Sequence, residues 1–119
     1  MFRLTSDTQG PFTLTSNLER VDTSFEKIGT GMSQSSGVFT FPSTGKYEVV
    51  ASSSNNIGYY GSSVNNWQTT SAFVFLDITD TSNMKVKFNV ETNGNSNTYT
   101  MSSSASNITY MTFIKFGDT

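Results

Sequence analysis

The stretch Gly37-Val-Phe-Thr-Phe-Pro-Ser-Thr-Gly-Lys-Tyr-Glu-Val-Val50 constrains the fold of this chain more than any other. Phe39 and Phe41 alternate with small or polar residues, Pro42 and Gly45 break the run, and Tyr47, Val49 and Ala51 resume a period of two. That is strand, proline-glycine turn, strand. The spacing predicts a hairpin whose arms are Val38 to Phe41 and Lys46 to Ser53.

The rest of the chain agrees with a β protein. Ser, Thr and Asn make up about 40% of the 119 residues, only 13% are charged, and ten Phe and five Tyr are present. Ser and Thr tolerate strands, Asn and Gly populate turns, and aromatic rings supply large buried areas. No window carries apolar residues at helical spacing. A chain of this length suits one domain over 1–119 and buries roughly two-thirds of its unfolded surface. With no cysteine, disulfide support is excluded, and stability has to come from packing or assembly.

Strand signals recur at Phe2–Leu4, Phe12–Leu14, Leu18–Val21 and Phe25–Ile28. Ser71–Asp80 carries apolar groups on both faces, Ala72, Val74, Leu76 and Ile78 on one, Phe73 and Phe75 on the other. A strand apolar on both faces is expected in the middle of an assembly, not at its edge. Met84–Val90 alternates cleanly, with Met84, Val86, Phe88 and Val90 inward. Thr92-Asn-Gly-Asn95 carries a hairpin pair, Asn97–Met101 follows, and Ile108–Phe116 again has two apolar faces. Between them Ser52–Asn66 reads as a long connection, of functional or interfacial character. About eight to ten short strands with regular turn signals indicate an antiparallel sandwich or jelly roll.

In residues, Gly37-x-Phe39-x-x-Pro42-x-x-Gly45-x-Tyr47 resembles the signature of the trimeric jelly-roll superfamily of tumour necrosis factor and the complement globular head. Phe116-Gly117 after an aromatic strand resembles its closing strand. The segments Leu18-Glu-Arg-Val, Lys27-Ile-Gly-Thr-Gly-Met and Phe113-Ile-Lys-Phe-Gly-Asp are similar to small virion proteins of phages that infect cyanobacteria. The resemblance implies a TNF-like homotrimer; the stalk that normally precedes such heads is missing from this sequence, a departure from the pattern. The expected interface residues are Phe39, Tyr47, Phe73, Phe75, Tyr110 and Phe113, and truncating Phe113 or Tyr47 to Ala is expected to dissociate the trimer.

Candidate chemistry is thin. Histidine is absent, which removes Ser-His and Cys-His nucleophile systems, and no Ser-x-x-Lys motif occurs. Asp77 and Asp80 form a possible carboxylate pair, against the plainer reading that Asp80 opens the turn Asp80-Thr-Ser-Asn83. The same Asp77, Asp80 and Asn83 are weak calcium candidates, without an EF-hand pattern. Trp67, with Tyr59 and Tyr60, offers an aromatic platform for sugar or, more plainly, a packing plug. Asn107-Ile-Thr109 matches a glycosylation acceptor that arises readily by chance. A net charge of −2 without a basic cluster argues against nucleic acid and acidic membranes. No apolar run is long enough to span a bilayer, and the N-terminus lacks a signal-peptide pattern.

The expectation is therefore a non-enzymatic structural protein on a virion, with no cofactor. As a trimeric decoration or cement protein, its partners are two further copies and the major capsid protein, at the capsid surface. The alternative is a receptor-binding head of a tail fibre or spike, which recognises surface glycans through the Asn55–Trp67 segment.

Overall fold

Among the residues that the computed structural model describes (1–21, 27–58, 65–93 and 96–119, with 57, 58, 65 and 66 described by backbone), there are strands and turns but no helix. The strands are β1 (Phe2–Leu4), β2 (Thr8–Gln9), β3 (Phe12–Thr13), β4 (Leu18–Arg20), β5 (Ser33–Ser35) and β6 (Val38–Thr40). They continue as β7 (Gly45–Gly58), β8 (Asn65–Ile78), β9 (Lys85–Val86), β10 (Asn89–Val90), β11 (Thr98–Thr100) and β12 (Tyr110–Gly117). All pairings are antiparallel.

The large sheet runs β2-β11-β7-β12-β1-β4, with β8 on the other side of β7. A second layer is made by β5-β6-β9 and by the pair β10-β3. Lys87 and Phe88 separate β9 from β10, so the expected Met84–Val90 strand is split. Its alternation survives: Met84, Val86, Phe88 and Val90 are partly buried, and Lys85, Lys87, Asn89 and Glu91 are exposed.

Aromatic side chains fill the space between the layers. Phe39 is fully buried, at 5.1 Å from Phe2 and 5.1 Å from Phe113, with Phe88 at 5.4 Å. Most of these rings meet edge to face, the arrangement their quadrupoles favour. Phe113 touches four of the rings: Phe2, Phe39, Phe41 and Phe88. Leu14, Val49, Ile78 and Met111 close the core around them.

Three expectations are corrected. Val38–Phe41 and Lys46–Ser53 do not pair with each other: β6 lies in the second layer and β7 in the large sheet. Pro42 lacks an N–H for a ladder, and the chain crosses from layer to layer there. Phe41 and Tyr47 then meet inside at 4.7 Å, and the Tyr47 hydroxyl donates to the Ser43 carbonyl at 3.0 Å. Gly45 is needed at the landing, because its φ is +144° and a Cβ would sit 2.6 Å from the Gly117 carbonyl oxygen.

Secondly, Ser52–Asn66 is not one long loop. β7 and β8 are each 14 residues and stay in register from Gly45↔Ile78 to Gly58↔Asn65. Backbone pairing does not ask for apolar side chains, so a Ser- and Asn-rich run forms strand here without announcing it. Thirdly, Ser71–Asp80 is not central within the subunit. Among the described residues β8 pairs only with β7, and it is an edge.

Two substitutions separate core from surface. Phe113→Ala should lower stability by about 3 kcal/mol by opening the aromatic cluster, whereas Phe73→Ala should change the free subunit by under about 0.5 kcal/mol. Urea titration of both variants reads the difference.

Candidate interaction surface

The β7–β8 ribbon is longer than the layer that covers it. Fourteen strand residues span roughly 46 Å at about 3.3 Å each, most of the molecule's 52 Å long axis. The second layer protects Tyr47, Val49 and Ile78. It does not reach the middle of β8, where residues 67–75 are exposed and Val74 is 45% exposed even on the inward-pointing side.

On the outer face, register sets Phe73 beside Val50 and Phe75 beside Glu48, with Ile114 on the other side of Glu48. An irregularity between Lys115 and Gly117 brings the end of β12 against the same patch. Phe73 and Phe75 stand 5.9 Å apart, and Phe116 is 5.8 Å from Phe75, all edge to face. Phe73 is 70% exposed, Phe75 60%, Phe116 57% and Ile114 48%. These side chains present on the order of 450 Å² of apolar surface, within the range of the largest patch on an ordinary monomer, which is often functional. Glu48 lies half-buried in the middle of it.

Alongside the patch runs the free edge of β8. From Asn66 to Leu76 it carries no charge and no proline. Proteins usually protect an edge with lysine, proline or a bulge, because unpaired N–H and C=O groups template another strand. No such device is present over that stretch.

The other half of the outer face is closed. Arg3, opposite Tyr110 in β12, is buried, bonds Glu19 at 3.0 Å and donates to the Ser104 carbonyl. Ser103 N–H reaches the Leu4 carbonyl at 3.3 Å, and Ser102 donates to Asp7 Oδ1 through its N–H at 2.7 Å and its hydroxyl at 2.8 Å. The segment after β11 is thereby folded over this end, and Tyr110 is half-buried.

Apart from Tyr110, half-buried at the closed end, the expected interface residues fall into two groups. Phe73 and Phe75 are on the open patch. Phe39 and Tyr47 are 0% and 3% exposed, and Phe113 is packed among four rings. Those three belong to the subunit's own core, so truncating Phe113 or Tyr47 tests folding and not association. Periodicity does not distinguish a ring facing a second layer from one facing a second copy. Ile114 and Phe116, absent from the expected set, join the patch because β12 lies next to β7, which only pairing reveals. Trp67 is 61% exposed; Tyr59 and Tyr60 lie outside the described residues.

Asp80 is a turn-former. Its Oδ1 accepts from the N–H groups of Ser82 at 2.7 Å and Asn83 at 3.2 Å, and its Oδ2 from the Asn83 side-chain amide at 2.6 Å. The Ser82 backbone bond first, then the two bonds from Asn83 and the charge of Lys85, hold this carboxyl below its ordinary value of 3.8. Both oxygens are thus engaged, and Asn83 points a donor, not a ligand oxygen, at Asp80. Asp77 sits on β8 in register with Lys46. Among the described residues no three His, Cys, Asp or Glu side chains converge on a point, and no helix is long and apolar enough to cross a membrane.

One cleft of about 210 Å³ opens between the ribbon's inner face and β10, lined by Leu14, Ala51, Ala72, Phe88, Val90 and Met111 among others. It is an apolar gap where the second layer stops short. No family model matches this chain, and no curated protein and no solved structure is significantly similar to it.

Because the Asp80 carboxyl is lowered, its stabilising bonds are intact above the ordinary value of 3.8 and are lost as pH falls below it through the folded-state value. An NMR titration of the side-chain carboxyl should give a midpoint under the ordinary one, and Asp80→Ala should remove that part of the acid sensitivity. Added calcium should leave the Asp80 signal unmoved.

Proposed function

We propose that this chain is a self-assembling structural subunit, a homotrimeric decoration or cement protein on the capsid of a tailed phage, and not an enzyme. The observation that carries the assembly is the Phe73–Phe75–Phe116 cluster, exposed on the same ribbon whose edge strand β8 pairs only with β7 among the described residues. The apolar patch alone contributes on the order of 10 kcal/mol at ~25 cal/mol per Å². That is comparable to the cost of association, and it is about half the area a standard interface takes from one partner. Ring burial and strand pairing at the β8 edge have to act together, and a second copy supplies both.

The resemblance of Gly37–Tyr47 to the trimeric jelly-roll signature supports three copies and supports the jelly-roll reading of the sandwich. The layer crossing at Pro42 and the neighbouring first and last strands, β1 and β12, are consistent with it. The similarity of the flanking segments to small phage virion proteins supports the capsid. A trimer matches a local threefold site, and three weak contacts on one rigid body multiply into a tight one. The major capsid protein is then the second partner. A glycan-recognising head of a tail fibre or spike is the second reading, favoured by the exposed Trp67.

Sedimentation velocity should give a trimer for the native protein and a folded monomer for Phe73→Ser/Phe75→Ser. A native protein that stays monomeric at tens of micromolar would refute the assembly. Glu48→Gln should tighten association about tenfold, because a carboxylate in the patch must lose its water when a partner covers it. Co-sedimentation with undecorated capsids, at one trimer per threefold site, tests the virion role.

A further inference from the structure

The far end of the ribbon carries a second, chemically different row. Register places Gln9 opposite Tyr99, Tyr99 opposite Asn56, and Asn56 opposite Trp67, straight across β2, β11, β7 and β8. Paired residues in antiparallel strands share a face, so the four side chains stand in line. Trp67 is 61% exposed and Tyr99 42%. Two strand spacings, roughly 10 Å, separate the two rings, with the Asn56 amide between them. Asn56 Oδ1 is buried and has no hydrogen-bond partner among the described residues. In the next row the Ser54 and Thr69 hydroxyls lie 3.1 Å apart, one donating to the other, and Gln9 donates to the Ser96 carbonyl at 2.7 Å. No charged side chain belongs to either row.

We infer that this row is a binding site for a neutral oligosaccharide. Two exposed rings offer flat apolar faces to the C–H faces of a sugar. An amide and two hydroxyls supply the polar contacts that orient it. The Asn56 oxygen, left without a partner between the two ring-bearing strands, costs about 1–3 kcal/mol, and a sugar hydroxyl bonded to it relieves that cost. The absence of cations in the row excludes recognition by charge, which sets neutral hexopyranose chains apart from nucleotides and acidic polysaccharides. The site is separate from the assembly patch: Trp67 and Phe73 are six residues apart on β8, roughly 20 Å.

Trp67 is the only tryptophan in the chain, so its fluorescence reports this site alone. The native protein is titrated with cellohexaose, maltohexaose, chitohexaose and mannohexaose, and with adenosine monophosphate as a flat, charged control. A saturable emission change is expected with at least one hexasaccharide and not with the nucleotide. Tyr99→Ala and Asn56→Ala should weaken it at least tenfold with unchanged circular dichroism, whereas Phe73→Ala should leave it intact. No saturable response to any of the four sugars, an equal response in Tyr99→Ala, or a loss of response in Phe73→Ala would each overturn the site. A native protein that gives the sugar response yet stays monomeric at tens of micromolar would overturn the assembly and leave the site standing.

Discussion

The aromatic cluster around Phe39 and Phe113 sets the extent of everything else. It is the joint between two layers of unequal size, and the smaller one contains only short strands. Five rings meeting there fix how the layers sit. They also fix how far the cover reaches. Where the rings end, the large sheet continues along β8 and β7, with the short strands β11 and β2 beside them, and β8 there has no second layer over it.

That mismatch links packing to function. A longer second layer would cover the inner face of β8, and an eighth strand beyond β8 would satisfy its edge. Neither is present among the described residues. The unburied rings on the outer face and the open N–H and C=O groups on the edge are two consequences of one short layer. Phe73 and Phe75, spaced two apart on one strand, face the same side as Ile114 and Phe116 because β12 is antiparallel to β7 in that register. The chemistry changes along the same face, from phenylalanine at one end, through the Ser52–Ser71 and Ser54–Thr69 hydroxyl pairs, to Trp67, Asn56 and Tyr99.

Particular residues show how much was legible beforehand. The alternation at Met84–Val90 gave the correct inward face even though the strand is interrupted. The close of the chain as an aromatic strand was legible because Tyr110–Gly117 has high β propensity throughout. Strand β7 beyond Ser52 was not, since Ser and Asn are the residues of turns and only their backbone pairs here. β2, at two residues, carries no periodicity to read. The role of Asp80 was legible from turn chemistry alone, because a short carboxylate captures the N–H groups two and three residues on.

The sequence by itself determined that this is a β protein with an aromatic interior, no histidine or cysteine chemistry, and strand-breaking residues at Pro42 and Gly45. Those follow from local rules: alternation, ring size, the missing proline donor and the glycine's freedom at positive φ. Only the tertiary structure decided which rings are core and which are surface. Phe39, Phe73 and Phe113 are the same residue type in similar strands, and their fates differ because burial depends on what lies across from a strand. It also decided that residues as distant as Gln9, Asn56, Trp67 and Tyr99 stand in one row, since strand pairing joins positions that no sequence period connects.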